Sequence, residues 1–186
     1  MSSSRGRPHA SSREMIADAA CELFLEQGYD ATTVTEITRR TGVSRSTFFN
    51  YFTSKSATLW FVLDEQIDAL LRQLADHGIT PADALDSFAR AGAPETLALA
   101  IVDARNMGVE DELRTGQALR QLRIADAIAA RLEREGEDPA RARVIAAGYA
   151  AALLAAVWQW ADLGAGRHDL GRKVGAALRT AREVLG

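Results

Sequence analysis

The chain has 186 residues, of which 47% are hydrophobic and 25% are charged, and its formal net charge at pH 7 is −3. This is an ordinary globular composition, and the length allows one or two domains with a proper core. The single cysteine excludes an internal disulfide bond and fits a reducing cytoplasm. Charge is unevenly distributed: residues 1–56 carry seven Arg and Lys against six Asp and Glu, and the remainder carries fifteen against nineteen.

Residues 1–11 have the composition of a flexible basic arm. They contain Arg5, Arg7 and His9 and no acidic side chain. No apolar segment follows the arginines, so a signal peptide is not expected. Two interpretations of the arm stay open: a disordered start without function, or a segment that contacts phosphate groups.

The first helix is predicted to begin at Ser11 or Ser12 and to end at Gly28. Glu14 is placed to complete an N-terminal capping box. Five apolar residues then follow one face of a helix: Ile16, Ala19, Ala20, Leu23 and Phe24. Cys21 lies beside this face and is predicted to be a small buried hydrophobe rather than a redox sensor.

Residues 33–55 carry the most specific pattern in the chain, which is two short helices joined at a glycine. Thr33 is predicted to cap the first of them, with Glu36 completing a capping box. Gly42 supplies the positive φ that a sharp turn needs, and Ser44 caps the second helix. These closely spaced helix starts predict a compact helix–turn–helix.

The second helix of this motif has two chemically different sides. Phe48 and Phe52 are spaced to anchor it from behind. Its polar side chains are Arg45, Ser46, Thr47 and Asn50. Phe49 and Tyr51 add two aromatic rings to the exposed side. An ordinary helical corner is the alternative, but a polar outer face on a rigid frame is typical of a helix that enters a DNA groove.

The rest of the chain is helical throughout, with no segment of period-two alternation. A long fourth helix, which Ser54 is placed to cap, is predicted over about Lys55–Asp76 and connects the two parts of the chain. Thr80 and Pro81 open a fifth helix, and a sixth is predicted over ETLALAIVDARNM.

A seventh helix is predicted over about Glu110–Glu135. Its inward side is expected to consist of Leu113, Leu119, Leu122, Ala125, Ala129 and Leu132. Asp138 and Pro139 form a good start for an eighth helix that reaches about Leu163, and Asp169 can cap a last one. The predicted fold class is therefore all-α, with about nine helices.

The eighth helix contains a run, Val144–Trp158, that is apolar all round. With fifteen residues the run is too short for a membrane span. In a monomer, only one side of this helix would have to be buried. The simplest explanation is that its other side packs against a second copy of the chain. With the last helix this predicts a four-helix bundle across a two-fold axis, and a monomeric core helix is the alternative.

The first part of the chain resembles the DNA-binding domain of the TetR/AcrR family of bacterial transcriptional regulators. The resemblance extends over about Ser12–Leu63 and rests on the stripe of the leading helix, on GYDATTVTEI and on TGVSRSTFFNYFTSK. It implies a helix–turn–helix domain at residues 12–56 after the basic arm. It also implies a ligand-binding and dimerisation domain at residues 57–186, in which residues 57–76 form the connecting helix.

The resemblance also implies site residues. Four are expected at base edges: Arg45, Ser46, Thr47 and Phe49. Five are expected at phosphates: Thr33, Thr35, Asn50, Tyr51 and Lys55. Phe49 departs from the tyrosine often found at its position and loses a phosphate hydrogen bond. Candidate ligand-pocket residues, for each of which core packing is the alternative, are Phe88, Asn106, Met107, Gln121, Tyr149 and Trp158.

In such regulators the last two helices form the dimer interface, and a ligand shifts the fourth helix. The implied function is a dimeric, ligand-responsive regulator of a near-palindromic operator. By family default it is a repressor, and a small, mainly apolar effector releases it from the DNA. The alternative is a helical ligand-binding or scaffold protein whose helix–turn–helix no longer binds DNA.

The sequence gives no indication of an enzyme, a metal or a cofactor. His9, His77 and His168 lie in predicted breaks or in the tail, without a cysteine or an acidic cluster at metal-ligand spacing. The chain lacks a P-loop, a dinucleotide-binding glycine pattern and a nucleophile paired with its base.

Overall fold

The computed structural model describes residues 12–164 and 167–185, and its regular elements are all α-helices. The helices of these residues are α1 (Ser12–Gln27), α2 (Val34–Thr41), α3 (Arg45–Tyr51), α4 (Ala57–Ala75), α5 (Pro81–Ala89), α6 (Glu95–Val102), α7 (Ala104–Met107), α8 (Glu110–Arg134), α9 (Pro139–Asp162) and α10 (Leu170–Leu185). The predicted all-α class is confirmed. The predicted basic arm at residues 1–11 lies outside the described residues.

The described residues form ten helices rather than nine because the expected sixth helix is divided at Asp103. This residue has φ −102° and ψ 21°, so α6 ends there and α7 follows as a single turn. Gly108 then adopts φ 69° and ends α7. The carbonyl of Met107 accepts the backbone N–H of Tyr29 at 2.7 Å, so α7 ties the second part of the chain to the first.

The first three helices enclose a small core. The predicted apolar stripe of α1 is buried, with Ile16, Ala20 and Phe24 at 0% exposure. The ring of Phe24 meets the ring of Tyr29 edge-on, with centroids 5.1 Å apart. The N-terminal end of α4 packs against α1, where Leu63 is also fully buried. This core holds α2 and α3 in place.

The far end of α4 is held by a buried arginine of α8. Arg131 is 4% exposed. Its guanidinium donates to the carbonyls of Leu74 at 3.1 Å, Asp76 at 2.6 Å and Ile79 at 2.9 Å. The carbonyl of Leu74 lies in the last turn of α4, where carbonyls have no partners within the helix, and Asp76 and Ile79 follow in the connection to α5. Arg131 therefore holds the end of α4 and this connection together.

The helix predicted as the seventh is α8 in the structure, and the prediction of its buried side is partly wrong. Leu119 and Leu122 are 58% and 61% exposed, whereas Gly116, Ile124 and Ile128 are buried. The buried face follows the helical period through a glycine, and the two leucines lie on the opposite side of the helix. A prediction based on the positions of the leucines therefore assigned two exposed residues to the buried face of α8.

The helix predicted as the eighth is α9 in the structure, because the predicted sixth helix is divided. It begins as predicted, since the side chain of Asp138 accepts the N–H groups of Ala140 and Arg141, both at 3.0 Å. The whole of α9 has 24 residues and, by length and composition, is long and apolar enough to cross a membrane. Within the described residues it packs against α6, α8 and α10 and buries Leu153 and Trp160, as a core helix does. The last helix, α10, packs along α9 and α5.

Candidate nucleic-acid interface

The start of α3 is built around the hydroxyl of Ser44. It accepts the backbone N–H of Thr47 at 3.1 Å, which confirms the predicted cap. The same oxygen lies 2.8 Å from the hydroxyl of Ser46 and 2.9 Å from that of Thr47. Three hydroxyl groups are therefore gathered at the N-terminal end of α3, where the backbone amides give a partial positive charge.

The two sides of α3 differ sharply in burial, as predicted. Phe48 is 0% exposed and Phe52 is 3% exposed, and their ring centroids lie 5.6 Å apart. On the other side Phe49 is 49% exposed and Tyr51 is 43% exposed. The polar side chains of Arg45, Ser46 and Asn50 are exposed as well. The helix is thus anchored by one aromatic side and presents a polar and aromatic surface on the other.

Arg45 lies at the junction of α2 and α3. Its guanidinium donates to the hydroxyl of Thr35 at 3.0 Å and lies 5.8 Å from the ring centroid of Phe49. Gly42, with φ 71°, makes the turn between the two helices, which confirms its predicted conformation. The turn and the two contacts hold the arginine side chain along the exposed surface before any partner is bound.

Thr33 caps α2 in the predicted capping box. Its hydroxyl accepts the N–H of Glu36 at 3.2 Å, and its own N–H donates to the carboxylate of Glu36 at 2.8 Å. Hydrogen bonds from the Thr33 backbone and hydroxyl lower the pKa of Glu36 below its usual value. Thr33 and Thr35 therefore lie on an ordered first turn of α2.

The ammonium group of Lys55 points into the protein rather than outward from the motif. It donates to the carbonyls of Tyr29 at 2.5 Å and Thr32 at 3.0 Å. It also lies 3.9 Å from the ring centroid of Tyr29. Lys55 was expected at a phosphate together with the helix start at Ser54. In the structure, the hydrogen bonds of Lys55 connect the α1–α2 turn to the segment before α4. The hydroxyl of Ser54 caps the turn that leads into α4, accepting the N–H of Ala57 at 3.2 Å.

Arg40 pairs with acidic residues of α1, a contact that no local sequence pattern indicates. Its guanidinium donates to the two carboxylate oxygens of Glu26 at 2.7 and 2.6 Å and lies 3.7 Å from Glu22. The hydrogen bond from Arg40 lowers the pKa of Glu26. Arg39 and Arg45 are exposed and make no salt bridge within the described residues. Among the arginines of α2 and α3 in the described residues, Arg39 and Arg45 rather than Arg40 therefore offer positive charge to a partner.

Cys21 lies in the core of the first part of the chain and is 4% exposed, as predicted. Burial, followed by the nearby charges of Asp18, Glu22 and Asp103, raises the pKa of the thiol to about 12. A thiol with so high a pKa is protonated at neutral pH and is a poor nucleophile. Cys21 therefore packs as a small hydrophobe.

The residues predicted to line a ligand pocket are dispersed through the second part of the chain. Three of them are half-buried on α8 and α9: Gln121, Tyr149 and Trp158. Phe88 and Met107 are buried in the core, whereas Asn106 is exposed. Phe88 lines a cavity of about 250 Å³ between α4 and α5. Trp158 packs against Trp60, with ring centroids 6.1 Å apart.

Comparison with known proteins identifies relatives among bacterial transcriptional regulators. Residues 16–59 match the family model for bacterial regulatory proteins of the tetR family. The HTH-type transcriptional regulator TcmR of Streptomyces glaucescens is 31% identical over 144 residues, which cover 77% of this chain and 62% of that protein. The HTH-type transcriptional repressor ComR of Escherichia coli is 38% identical over 65 residues, which cover 35% of this chain and 31% of that protein.

The fold is similar to that of solved structures over nearly the whole chain. A TetR-family transcriptional regulator from Syntrophomonas wolfei has a TM-score of 0.60 at 17% identity, and the match covers 94% of each chain. At this identity the likeness concerns the fold. For the first three curated relatives, the matched segment spans between 28% and 31% of the relative's own length.

The all-α fold and the two-sided α3 near its N-terminal end are those of a helix–turn–helix fold, the class that presents one helix to a DNA groove. The capping residues, the glycine turn and the buried phenylalanines of the motif all lie within or directly beside the segment that matches the family model. The chain belongs to the TetR/AcrR family of transcriptional regulators.

Proposed function

We propose that this chain regulates transcription by inserting α3 into the major groove of duplex DNA. The observation that carries the proposal is the division of α3 into two sides. Phe48 is wholly buried, while Arg45, Ser46, Phe49 and Asn50 form an exposed face. A helix anchored in this way can offer its polar side chains to base edges without losing its own support.

Arg45 is the residue proposed to recognise a base. A guanidinium can donate two parallel hydrogen bonds to O6 and N7 of guanine, which is worth about 1–3 kcal/mol of discrimination. The contacts with Thr35 and Phe49 hold the side chain close to this surface. Ser46 and Thr47 are proposed at neighbouring base edges, and the ring of Phe49 is proposed at a thymine methyl or a sugar.

Phosphate contacts are proposed for the residues that flank this face. Thr33 and Thr35 lie on the first turn of α2, whose positive helix end favours an anion. Asn50 and Tyr51 are exposed at the end of α3. These contacts would set the register of the protein on DNA without carrying sequence information. Lys55 is proposed to act indirectly, through the turn that it holds.

The protein is proposed to act as a homodimer through α9 and α10. Val144, Ala147, Ala151 and Ala155 of α9 are exposed in one chain. Beside them, α9 and α10 border a groove of about 490 Å³ with small side chains along it. Two such faces together would form a four-helix bundle across a two-fold axis. A dimer would present two copies of α3 to a near-palindromic operator, about 34–36 Å apart.

A small-molecule effector is proposed to control DNA binding. The connecting helix α4 packs against α1 at one end and is held by Arg131 of α8 at the other. A ligand that prefers one arrangement of these helices would shift the population towards it. One relative, ComR, is named as a repressor, which supports repression as the mode of action. The effector is proposed to be mainly apolar, and the protein is proposed to act in the cytoplasm.

The proposal is tested with wild-type protein by light scattering and by mobility shift with DNA from both sides of its own gene. The expected result is a dimer that retards one of these fragments. An excess of the same unlabelled fragment should compete, and an unrelated fragment of equal length should not. A protein that stays monomeric, or that retards all fragments equally at low salt, would contradict the proposal.

A further inference from the structure

A wide cleft of about 1190 Å³ lies between the α5–α6 connection and the first turns of α10. We call this space the α10 cleft. Its walls are the end of α5, the loop that follows it, Trp160 of α9, and residues 167–179. The described lining residues include none from α1, α2 or α3, so the cleft is separate from the proposed DNA-binding face.

The α10 cleft is rich in positive charge although the chain as a whole is net acidic. Five cationic side chains line it: Arg90, Arg167, Arg172, Lys173 and Arg179. Within the described residues none of these five forms a salt bridge with the protein. The cations are therefore available to a partner from outside.

The three carboxylates that line the cleft offset only part of this charge. Asp86 is paired with Arg182 at 3.1 Å, on α10 but outside the lining. Asp169 accepts the backbone N–H of Arg172 at 2.7 Å as the cap of α10. Glu95 is the third acidic group. Two of the three carboxylates thus already have positive or N–H partners, whereas none of the five cations forms a salt bridge with another described residue.

The walls of the cleft are fixed by close contacts on two sides. A Cβ atom on Gly171 would lie 2.3 Å from the carbonyl oxygen of Ala89, so α10 approaches the end of α5 as closely as glycine permits. The indole N–H of Trp160 donates to the carbonyl of His168 at 2.8 Å, which holds the segment before α10. These contacts fix the backbone segments from which the cationic side chains extend, so binding a ligand would not have to order those segments.

We propose that the α10 cleft binds a small organic anion with two or more negative charges, such as a phosphorylated or polycarboxylated metabolite. Cations from three segments border one space, which suits a multiply charged group better than a single carboxylate. The volume exceeds what inorganic phosphate needs, and Ala89, Ala91 and Trp160 provide apolar wall for a carbon skeleton. This ligand class differs from the mainly apolar effector proposed above, and binding at the cleft does not depend on DNA recognition.

The test is isothermal titration calorimetry of the full chain, without DNA, using inorganic pyrophosphate and citrate as separate probes at one fixed low ionic strength. At least one probe should bind with one site per chain. The double variant Arg172→Ala, Arg179→Ala should weaken that binding by about tenfold or more. Stronger binding of pyrophosphate indicates a phosphorylated ligand, and stronger binding of citrate a polycarboxylate.

The matched control is the double variant Arg114→Ala, Arg143→Ala, which removes the same charge from exposed positions of α8 and α9 outside the cleft lining. It should bind the probe as the wild type does, within about twofold. Absence of binding by both probes, or equal weakening in the two double variants, would overturn the proposal. So would displacement of the bound probe by a short single-stranded oligonucleotide that binds more tightly, since the cleft would then be a nucleic-acid site.

Discussion

The indole ring of Trp60 packs directly against Gly116. It occupies the space that a side chain at position 116 would need. A Cβ atom on Gly116 would lie 2.3 Å from Cζ2 of Trp60. The guanidinium of Arg120 lies 3.8 Å from the centroid of the same ring, and the ring of Trp158 lies 6.1 Å from it. Because Trp60 belongs to α4 and Gly116 to α8, this contact sets how closely the two helices approach.

Gly116→Ala is expected to destabilise the protein. Replacing a helical glycine by alanine normally stabilises by about 1 kcal/mol, but overpacking a well-filled core costs about 1–3 kcal/mol. The steric term should dominate, because Trp60 is 2% exposed and is held by its neighbours. Urea denaturation measures the change. Gly175→Ala in α10, whose new Cβ would meet its nearest atom at 3.6 Å, is the control and should be stabilising. Equal gains in both variants would contradict this account of the α4–α8 contact.

Arg131→Leu is expected to lower the free energy of unfolding by about 3 kcal/mol or more, because its buried guanidinium donates to three carbonyls at and after the end of α4. These are the carbonyls of Leu74, Asp76 and Ile79, of which that of Leu74 keeps a second donor in Arg134. Arg134→Ala is the matched control, since its exposed side chain donates to Leu74 alone, at 3.1 Å. It should cost about 1 kcal/mol or less. Similar losses in both variants would show that Arg131 is not the main support for the end of α4.

Lys55→Met is expected to destabilise the protein by about 1–3 kcal/mol through loss of the hydrogen bonds to Tyr29 and Thr32. The salt dependence of DNA binding should stay unchanged in the folded variant, because the ammonium group faces the protein. Arg39→Ala, at an exposed position, is the stability control and should stay within about 0.5 kcal/mol of wild type. A shallower salt dependence with unchanged stability would instead place Lys55 at a phosphate.

Stability should fall at high pH in a way that depends on Cys21. Burial raises the pKa of its thiol from 9.0 to about 12, so the folded state resists ionisation that the unfolded chain allows. This contribution is complete below pH 9 and is lost as the pH rises towards 12. The stability of wild type minus that of Cys21→Ala should therefore be constant from pH 7 to 8 and decrease above 9. Urea denaturation at each pH gives the difference, and a constant value up to pH 10.5 would contradict a buried thiol.

Five helix starts were predictable because their capping signals are local. Thr33, Ser44, Thr80, Asp138 and Asp169 each accept an N–H from a residue two or three positions later, so the sequence contains both partners. The two-sided α3 was predictable for the same reason, since its aromatic anchors lie four residues apart. Features whose interacting residues lie within a few positions of each other could therefore be predicted from the sequence.

The contacts that depend on the tertiary fold were not predictable. Lys55 bonds carbonyls 26 and 23 residues away, and Arg40 pairs with Glu26 fourteen residues away, so no local pattern marks either pair. On α8 the buried face contains Gly116, whose partner is an indole ring on another helix. A leucine-based stripe could not reveal this, and Leu119 and Leu122 were misplaced as a result.

The most direct measurement of DNA recognition by α3 is a binding titration with two duplexes, one selected by wild-type protein from a random pool and one scrambled. Arg45→Ala should lose about 10- to 100-fold of the preference for the selected duplex, equivalent to about 1–3 kcal/mol, with little change on the scrambled one. Arg143→Ala should retain the wild-type preference. If Arg45→Ala keeps the full ratio of affinities, or if wild-type protein prefers no duplex even at low salt, the exposed face of α3 does not recognise DNA.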